Sequence, residues 1–214
     1  MSSPSVILVA NPKGGVGKST LATNLAGLLA LRGREHGGVQ VMLGDVDRQQ
    51  SSRFWLEKRP AQLAPILCWN WTSRGAARPP RGTTHVVLDT PAGLHGEKFK
   101  ELLRLSTSVI VPLQASVFDI EATQIFLERL AEKKAARGLS VALVGMRVDA
   151  RTRSAEQLMR FVESTGFPLL ACLRNTQNYV QLAARGLTLF DLPPTRVEKD
   201  LAQWEAIERW LFPF

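Results

Sequence analysis

Short apolar runs alternate with longer stretches of helical periodicity along most of this chain. The first run, Val6-Ile7-Leu8-Val9-Ala10, predicts a buried strand; Ser19 to Leu31, with Leu21, Leu25, Leu28 and Leu29 on one side, predicts a helix. Val39 to Leu43 reads as a second strand running toward Asp45 and Asp47, and Ser51 to Lys58 as a short helix. From Arg59 to Thr84 the pattern breaks around Pro60, Pro65, Pro79 and Pro80, leaving one extended piece about Cys68-Trp69-Asn70-Trp71. Val86-Val87-Leu88 restores the alternation, followed by a helix over Gly96–Leu105 and a strand Val109–Val111 closed by Pro112. A long helix over Asp119–Ala136, a strand Val141–Val144 and a helix over Ser154–Ser164 come next, the last with Ser154 and Gln157 spaced as a capping box. Leu169–Cys172 is the last strand and Val197–Trp210 a final helix. Repeated strand–helix units without a linker or repeat predict one α/β domain, a doubly wound and mainly parallel sheet with helices on both faces.

Composition agrees with one domain: 214 residues, 45% hydrophobic, are enough for a sizeable core. No apolar run is long enough to span a bilayer, and the first one leads straight into glycines with no cleavage-type sequence, which argues against a secretory signal. Cys68 and Cys172 stand far apart with no Cys/His cluster around them, so neither a disulfide framework nor a zinc site is expected, and a reducing cytoplasm is the simplest compartment. Lys and Arg number 27 against 19 Asp and Glu, a net charge of +8. That excess attracts polyanions, nucleic acid or an anionic membrane surface, although an ordinary basic surface gives the same total.

The chemistry concentrates after the first strand, in Lys13-Gly14-Gly15-Val16-Gly17-Lys18-Ser19-Thr20. A glycine-rich turn between strand and helix aims several backbone N–H groups into one small volume at the positive end of the helix dipole. Gly14, Gly15 and Gly17 let that backbone approach a polyphosphate closely. Lys18 is then placed to reach the β- and γ-phosphates, and the Ser19 hydroxyl to ligate Mg²⁺. Three aspartates end strands that converge on the loop in such a sheet. Asp89, after Val86-Val87-Leu88, is expected to hold Mg²⁺ through water. Asp45 is a candidate for the outer shell of the metal and Asp47 for orienting the attacking water; chain order alone does not say which lies nearer that water.

Together these segments resemble the ParA/MinD family of deviant Walker ATPases over most of the chain. Lys13 to Ser19 is similar to the phosphate loop of that family with its signature lysine, Asp45-Val46-Asp47-Arg48-Gln49-Gln50-Ser51 to switch one, and Asp89-Thr90-Pro91-Ala92-Gly93 to switch two with Walker B. The resemblance implies ATP and Mg²⁺ as cofactors and a slow, partner-stimulated ATPase. It implies an ATP-dependent homodimer in which Lys13 crosses to the phosphates of the other subunit. It also implies that Thr20 contacts the α-phosphate and that Asp47 is the catalytic aspartate. Arg48 stands where the family usually has proline, and Met146-Arg147-Val148-Asp149 where many relatives place an adenine-reading asparagine. Pro112 lies where it would line the base pocket. Met1 falls a few residues before the first strand, which leaves no room for a helix-turn-helix module and points to the small partition-type members that position plasmids, chromosomes or large protein assemblies.

The later half gathers arginines where strands end: Arg147, Arg151, Arg153, Arg160, Arg174, Arg185 and Arg196. Such clusters make phosphate contacts without reading bases, which predicts sequence-independent DNA binding and nucleoid association; pairing with Asp149, Glu156 and Glu163 is the plainer account. Arg147, Arg151, Arg153 and, by resemblance, Arg174 are the candidate DNA contacts. A membrane-cycling role of the MinD type would need the final helix to lie on lipid, but Glu198, Asp200, Glu205 and Glu208 make it acidic, so packing on the sheet is expected. Trp55, Trp69 and Trp71 are expected to pack in the core or loops. An iron–sulfur reductase sharing this loop would need paired cysteines that the chain does not offer. The cargo and the stimulating partner, or cargo adaptor, have no signature in the sequence.

Overall fold

The run that opens the chain lies at the centre of the molecule. In the computed structural model, which describes residues 3–72, 75–76 and 79–212, the order is β1 (Ser5–Val9), α1 (Lys18–His36), β2 (Val41–Asp45), α2 (Ser51–Glu57) and β3 (Ile66–Trp69). A small antiparallel pair follows, β4 (Trp71–Thr72) with β5 (Gly75–Ala76). Then come β6 (His85–Asp89), α3 (Gly96–Leu105), β7 (Ser108–Gln114), α4 (Val117–Arg137), β8 (Ser140–Met146), α5 (Arg153–Thr165) and β9 (Leu169–Leu173). The chain ends in α6 (Gln177–Ala183), α7 (Pro194–Leu201) and α8 (Glu205–Leu211). Seven strands form one parallel sheet in the order β3-β2-β6-β1-β7-β8-β9.

Alternation along each strand builds two cores. Ile7 and Val9 face Leu21, Leu25 and Leu29 of α1, whereas Val6 and Leu8 face the side that holds Leu102, Leu127 and Leu158 from α3, α4 and α5. Each fully buried leucine contributes about 2 kcal/mol. Helix α1 is buried nearly all round because residues 186–192 cover its outer side. Asn24 Oδ1 accepts from Leu189 N at 3.1 Å, and a Cβ on Gly27 would lie 2.4 Å from Thr188 Oγ1. Arg59 clamps the same segment through two 2.8 Å bonds to the Asp191 carboxylate.

Several expected boundaries move. The second strand is Val41–Asp45, so Asp45 belongs to it. In the proline-rich stretch, Ile66–Trp69 joins the sheet as an edge strand through β2. Pro112 does not close its strand but lies inside β7, paired with Val144. Its carbonyl points toward the β1 side, where it accepts from Asn11 Nδ2, and the missing N–H points the same way. The β1–β7 ladder ends with Ala10 N donating to Ile110 O, at the point where Pro112 has no N–H to continue it. Helix α5 is capped by Thr152, which accepts from Ala155 N at 3.2 Å, rather than by Ser154 with Gln157. Helix α6 has no counterpart among the expected elements. The final helix is two helices, broken by a tight turn at Ala202–Trp204 that sends Trp204 inward to donate to the Tyr179 hydroxyl at 3.0 Å. Trp55 and Trp69 are buried as expected; the Trp71 side chain and Phe214 lie outside the described residues.

Candidate nucleotide site

Register brings the site together. Val9 pairs with Asp89 and Asp89 with Asp45, so three adjacent strands end on one line. The chain fills the sheet on one side of β1 first and then, with β7, on the other, and such a reversal is where open α/β sheets bind ligands. From Val9 the chain runs through Lys13 and the glycines into α1. Gly15 (φ 75°) and Gly17 (φ 93°) take left-handed backbone, and a Cβ on Gly17 would come within 2.9 Å of Met146 at the end of β8. Helical bonding begins with Leu21 N to Gly17 O at 2.9 Å, so the N–H groups of Lys18, Ser19 and Thr20 have no intrahelical partner.

Other side chains hold the loop in shape. Val16 is buried beneath it. Asn11, buried just after β1, accepts from Lys13 N at 2.8 Å and donates to the Thr123 hydroxyl on α4 at 3.2 Å. Gln114 Nε2, at the end of β7, donates to Gly15 O at 3.2 Å. Gly93 N reaches Pro12 O at 2.8 Å, joining switch two to the loop. Asn11 had a weak sequence signal, a polar residue where a buried strand meets a phosphate loop; Gln114 had none.

Lys18 is buried, and its ammonium donates to Lys13 O at 2.5 Å. Burial pulls its pKa below the ordinary lysine value, while the charges of Asp89 and Asp47 oppose the shift, so the ammonium lies within the field of both carboxylates. Burial pushes Asp89 up to about 6 against the pull of the Ser19 and Ser52 hydroxyls. Ser52 Oγ donates to Asp89 Oδ2 at 2.5 Å, while Asp89 Oδ1 is buried and, among the described residues, lacks a hydrogen-bond partner. An orphaned carboxylate oxygen beside a serine hydroxyl at a phosphate loop suits a hydrated divalent cation. Asp45 differs: Oδ1 accepts from Asp47 N at 2.9 Å, and Oδ2 from Ser52 N at 2.8 Å and Arg53 N at 3.1 Å. Its carboxylate shapes switch one and caps α2. Burial also raises its pKa, against those three bonds. Asp47 and Lys13 are half-buried at the rim. Lys98 Nζ donates to Val46 O at 3.0 Å, a contact with switch one that no motif announced.

The arginines gather on the same edge of the sheet. Arg147 follows β8 directly, next to Met146, in a left-handed conformation (φ 55°) that non-glycine residues seldom adopt. Arg151 and Arg153 lie exposed in the turn and at the start of α5, with Arg151 paired to Asp149 at 3.0 Å. Arg174 follows β9; its side chain is 44% exposed while its ion-pair partner Asp200 is fully buried. Cys68 and Cys172 sit on the two opposite edge strands, too far apart in the sheet to share one cluster. No described helix is long and apolar enough to cross a membrane.

This geometry has counterparts in known proteins. The family model described as CobQ/CobB/MinD/ParA nucleotide binding domain matches residues 7–189. Maintenance of carboxysome distribution protein A from Gloeobacter kilaueensis is 30% identical over 192 residues, covering 88% of this chain and 85% of its own. The chromosome-partitioning ATPase Soj of Thermus thermophilus is 28% identical over 71% of this chain and 73% of its own. Among solved structures, an ATP complex of Cyanothece McdA superposes with a TM-score of 0.72 at 17% identity, covering 97% of this chain and 98% of that one, and shares the fold. The chain belongs to the CobQ/CobB/MinD/ParA family of nucleotide-binding domains.

Proposed function

We propose that this protein is an ATP-driven positioning ATPase: it dimerises on binding ATP with Mg²⁺, the dimer holds DNA without sequence preference, and hydrolysis releases it. The observation that carries the reading is that Lys18, buried at the end of the glycine loop, feels the charges of both Asp89 and Asp47, with a second lysine, Lys13, half-buried at the loop's start. The names of the curated relatives, in carboxysome distribution and chromosome partitioning, support a large cargo rather than a small-molecule substrate.

In this reading Gly14, Gly15, Val16, Gly17 and the first turn of α1 cradle the phosphates with backbone N–H groups. Lys18 exchanges its bond to Lys13 O for phosphate oxygens, and Thr20 contacts the α-phosphate. Ser19 and Asp89 hold Mg²⁺, which neutralises phosphate charge when bound; Asp45 contributes by fixing the loop that carries Asp47. Asp47 orients the attacking water. Lys13 completes the partner's site, so the dimer persists only while the terminal phosphate is present.

Met146 packs against Gly17 and Arg147 is the next residue, which supports a link between the nucleotide loop and the basic edge. Two copies of Arg147, Arg151, Arg153 and Arg174 steepen DNA affinity in the dimer. The membrane-cycling alternative is disfavoured because Trp204 and Ile207 turn the apolar side of the C-terminal segment into the core.

Sizing with light scattering tests the reading. Wild type should double in mass with ATP and Mg²⁺, Lys13→Ala should dimerise poorly, and Lys18→Ala should lose ATP binding. A wild type that binds ATP and stays monomeric would defeat the dimer model.

A further inference from the structure

Ser52 belongs to none of the residues that read as chemistry, yet it is fully buried and touches one of them. Its hydroxyl donates to Asp89 Oδ2 across 37 residues of sequence. A carboxylate turns readily about its last torsion, which exchanges its two oxygens. Of the two serine hydroxyls that act on Asp89, that of Ser52 hydrogen-bonds Oδ2 alone, which breaks that symmetry and leaves Oδ1 as the buried oxygen with no partner among the described residues. The neighbouring carboxylate lacks this asymmetry, because both oxygens of Asp45 are taken by backbone N–H groups.

Ser52 is also well anchored. It lies in the first turn of α2, and its own N–H donates to Asp45 Oδ2 at 2.8 Å. Nearby, Val46 N donates to Asp89 O at 2.9 Å. Backbone and side chain of Asp89 are therefore both tied to the segment that carries Asp47.

We propose that Ser52 is a positioning residue that fixes the Asp89 carboxylate with Oδ1 presented to the Mg²⁺ position, and that keeps switch one in register with it. The inference rests on the ATP–Mg²⁺ reading above. Residues that orient a metal-holding group typically change metal affinity 10–100-fold when removed.

The test compares the full chain with Ser52→Ala and with Ser52→Cys, which keeps a side-chain donor but a bulkier and weaker one. ATP affinity is measured by calorimetry in EDTA and across a Mg²⁺ titration, and folding by thermal melting. Ser52→Ala should keep its affinity in EDTA and need roughly 10–100-fold more Mg²⁺ to reach half of the metal-dependent gain. Ser52→Cys should fall between it and wild type. A wild-type Mg²⁺ midpoint in folded Ser52→Ala, or an equal loss of ATP affinity with and without metal, overturns the proposal. If Ser52→Ala does not fold, folded Ser52→Cys decides: a shifted midpoint supports the proposal and an unchanged one overturns it. Failure of wild type to bind ATP in either condition is a separate result and brings down the parent reading.

Discussion

At the scale of single residues, Asp89 carries the largest electrostatic strain in the site. Its pKa rises from 3.8 to about 6 because burial outweighs the serine hydroxyls and Lys18. The folded chain therefore holds this proton more tightly than the unfolded one. Between those two values the folded state binds more protons, so the contribution of this group to stability falls as pH rises through the window and stays low above it. Asn in its place does not titrate and can still accept from Ser52. In EDTA, urea unfolding should show the stability of Asp89→Asn relative to wild type improving by up to about 3 kcal/mol between pH values of about 4 and 7.5. A difference independent of pH would show that the carboxyl is not perturbed. An aspartate ending an apolar run above a phosphate loop is legible in the chain. Its partner Ser52 is not, because that bond runs from the first turn of a helix to a strand end 37 residues away in sequence.

At the scale of elements, α2 shows how a short helix without an ordinary cap is held. Its N-cap, Gln50, is left-handed and gives no side-chain bond, and Asp45, at the end of the preceding strand, accepts from Ser52 N and Arg53 N instead. An anion at the helix start also meets the positive end of its dipole. Asp45→Ala would leave three backbone donors unmatched and should destabilise the protein by about 2 kcal/mol, read by chemical denaturation. It should also speed proteolysis after Arg48 or Arg53, with the α5 region unchanged; equal cleavage throughout would mean that the helix does not depend on this carboxylate. Periodicity found α1, α3, α4 and α5 because each has an apolar stripe or long run facing the sheet. It missed α6, placed the extended piece at β3 about two residues late and did not see the break in the C-terminal helix, where short segments take their form from neighbours: β2 for β3, and the Tyr179–Trp204 contact for the tail.

At the scale of the whole molecule, the parallel sheet gathers nucleotide residues and arginines on one edge. If the ATP-bound dimer holds DNA through phosphates alone, its affinity for unrelated duplexes should be equal and should fall steeply with salt. Replacing Arg147, Arg151 and Arg153 together with Ala should weaken all duplexes alike and flatten the log–log salt slope by about one unit for each phosphate no longer neutralised. Unchanged binding would remove this edge as the DNA surface. Arg174 behaves differently in the structure: its ion pair with buried Asp200 ties β9 to α7, so removing it leaves a buried carboxylate with Asn178 as its remaining side-chain partner. Its replacement should lower stability as well as DNA binding.

The linear chain determined the parallel α/β architecture, the phosphate loop and the strand-end aspartates, because each depends on neighbours in sequence: an apolar run, a glycine turn, a helix start. Only the tertiary structure decided which carboxylate oxygen is open, which lysine is buried, and which residues hold the loop from behind. Those properties depend on strand register and burial, through which Asp45 and Asp89 meet across adjacent strands and Lys18 comes within the field of Asp47 and Asp89.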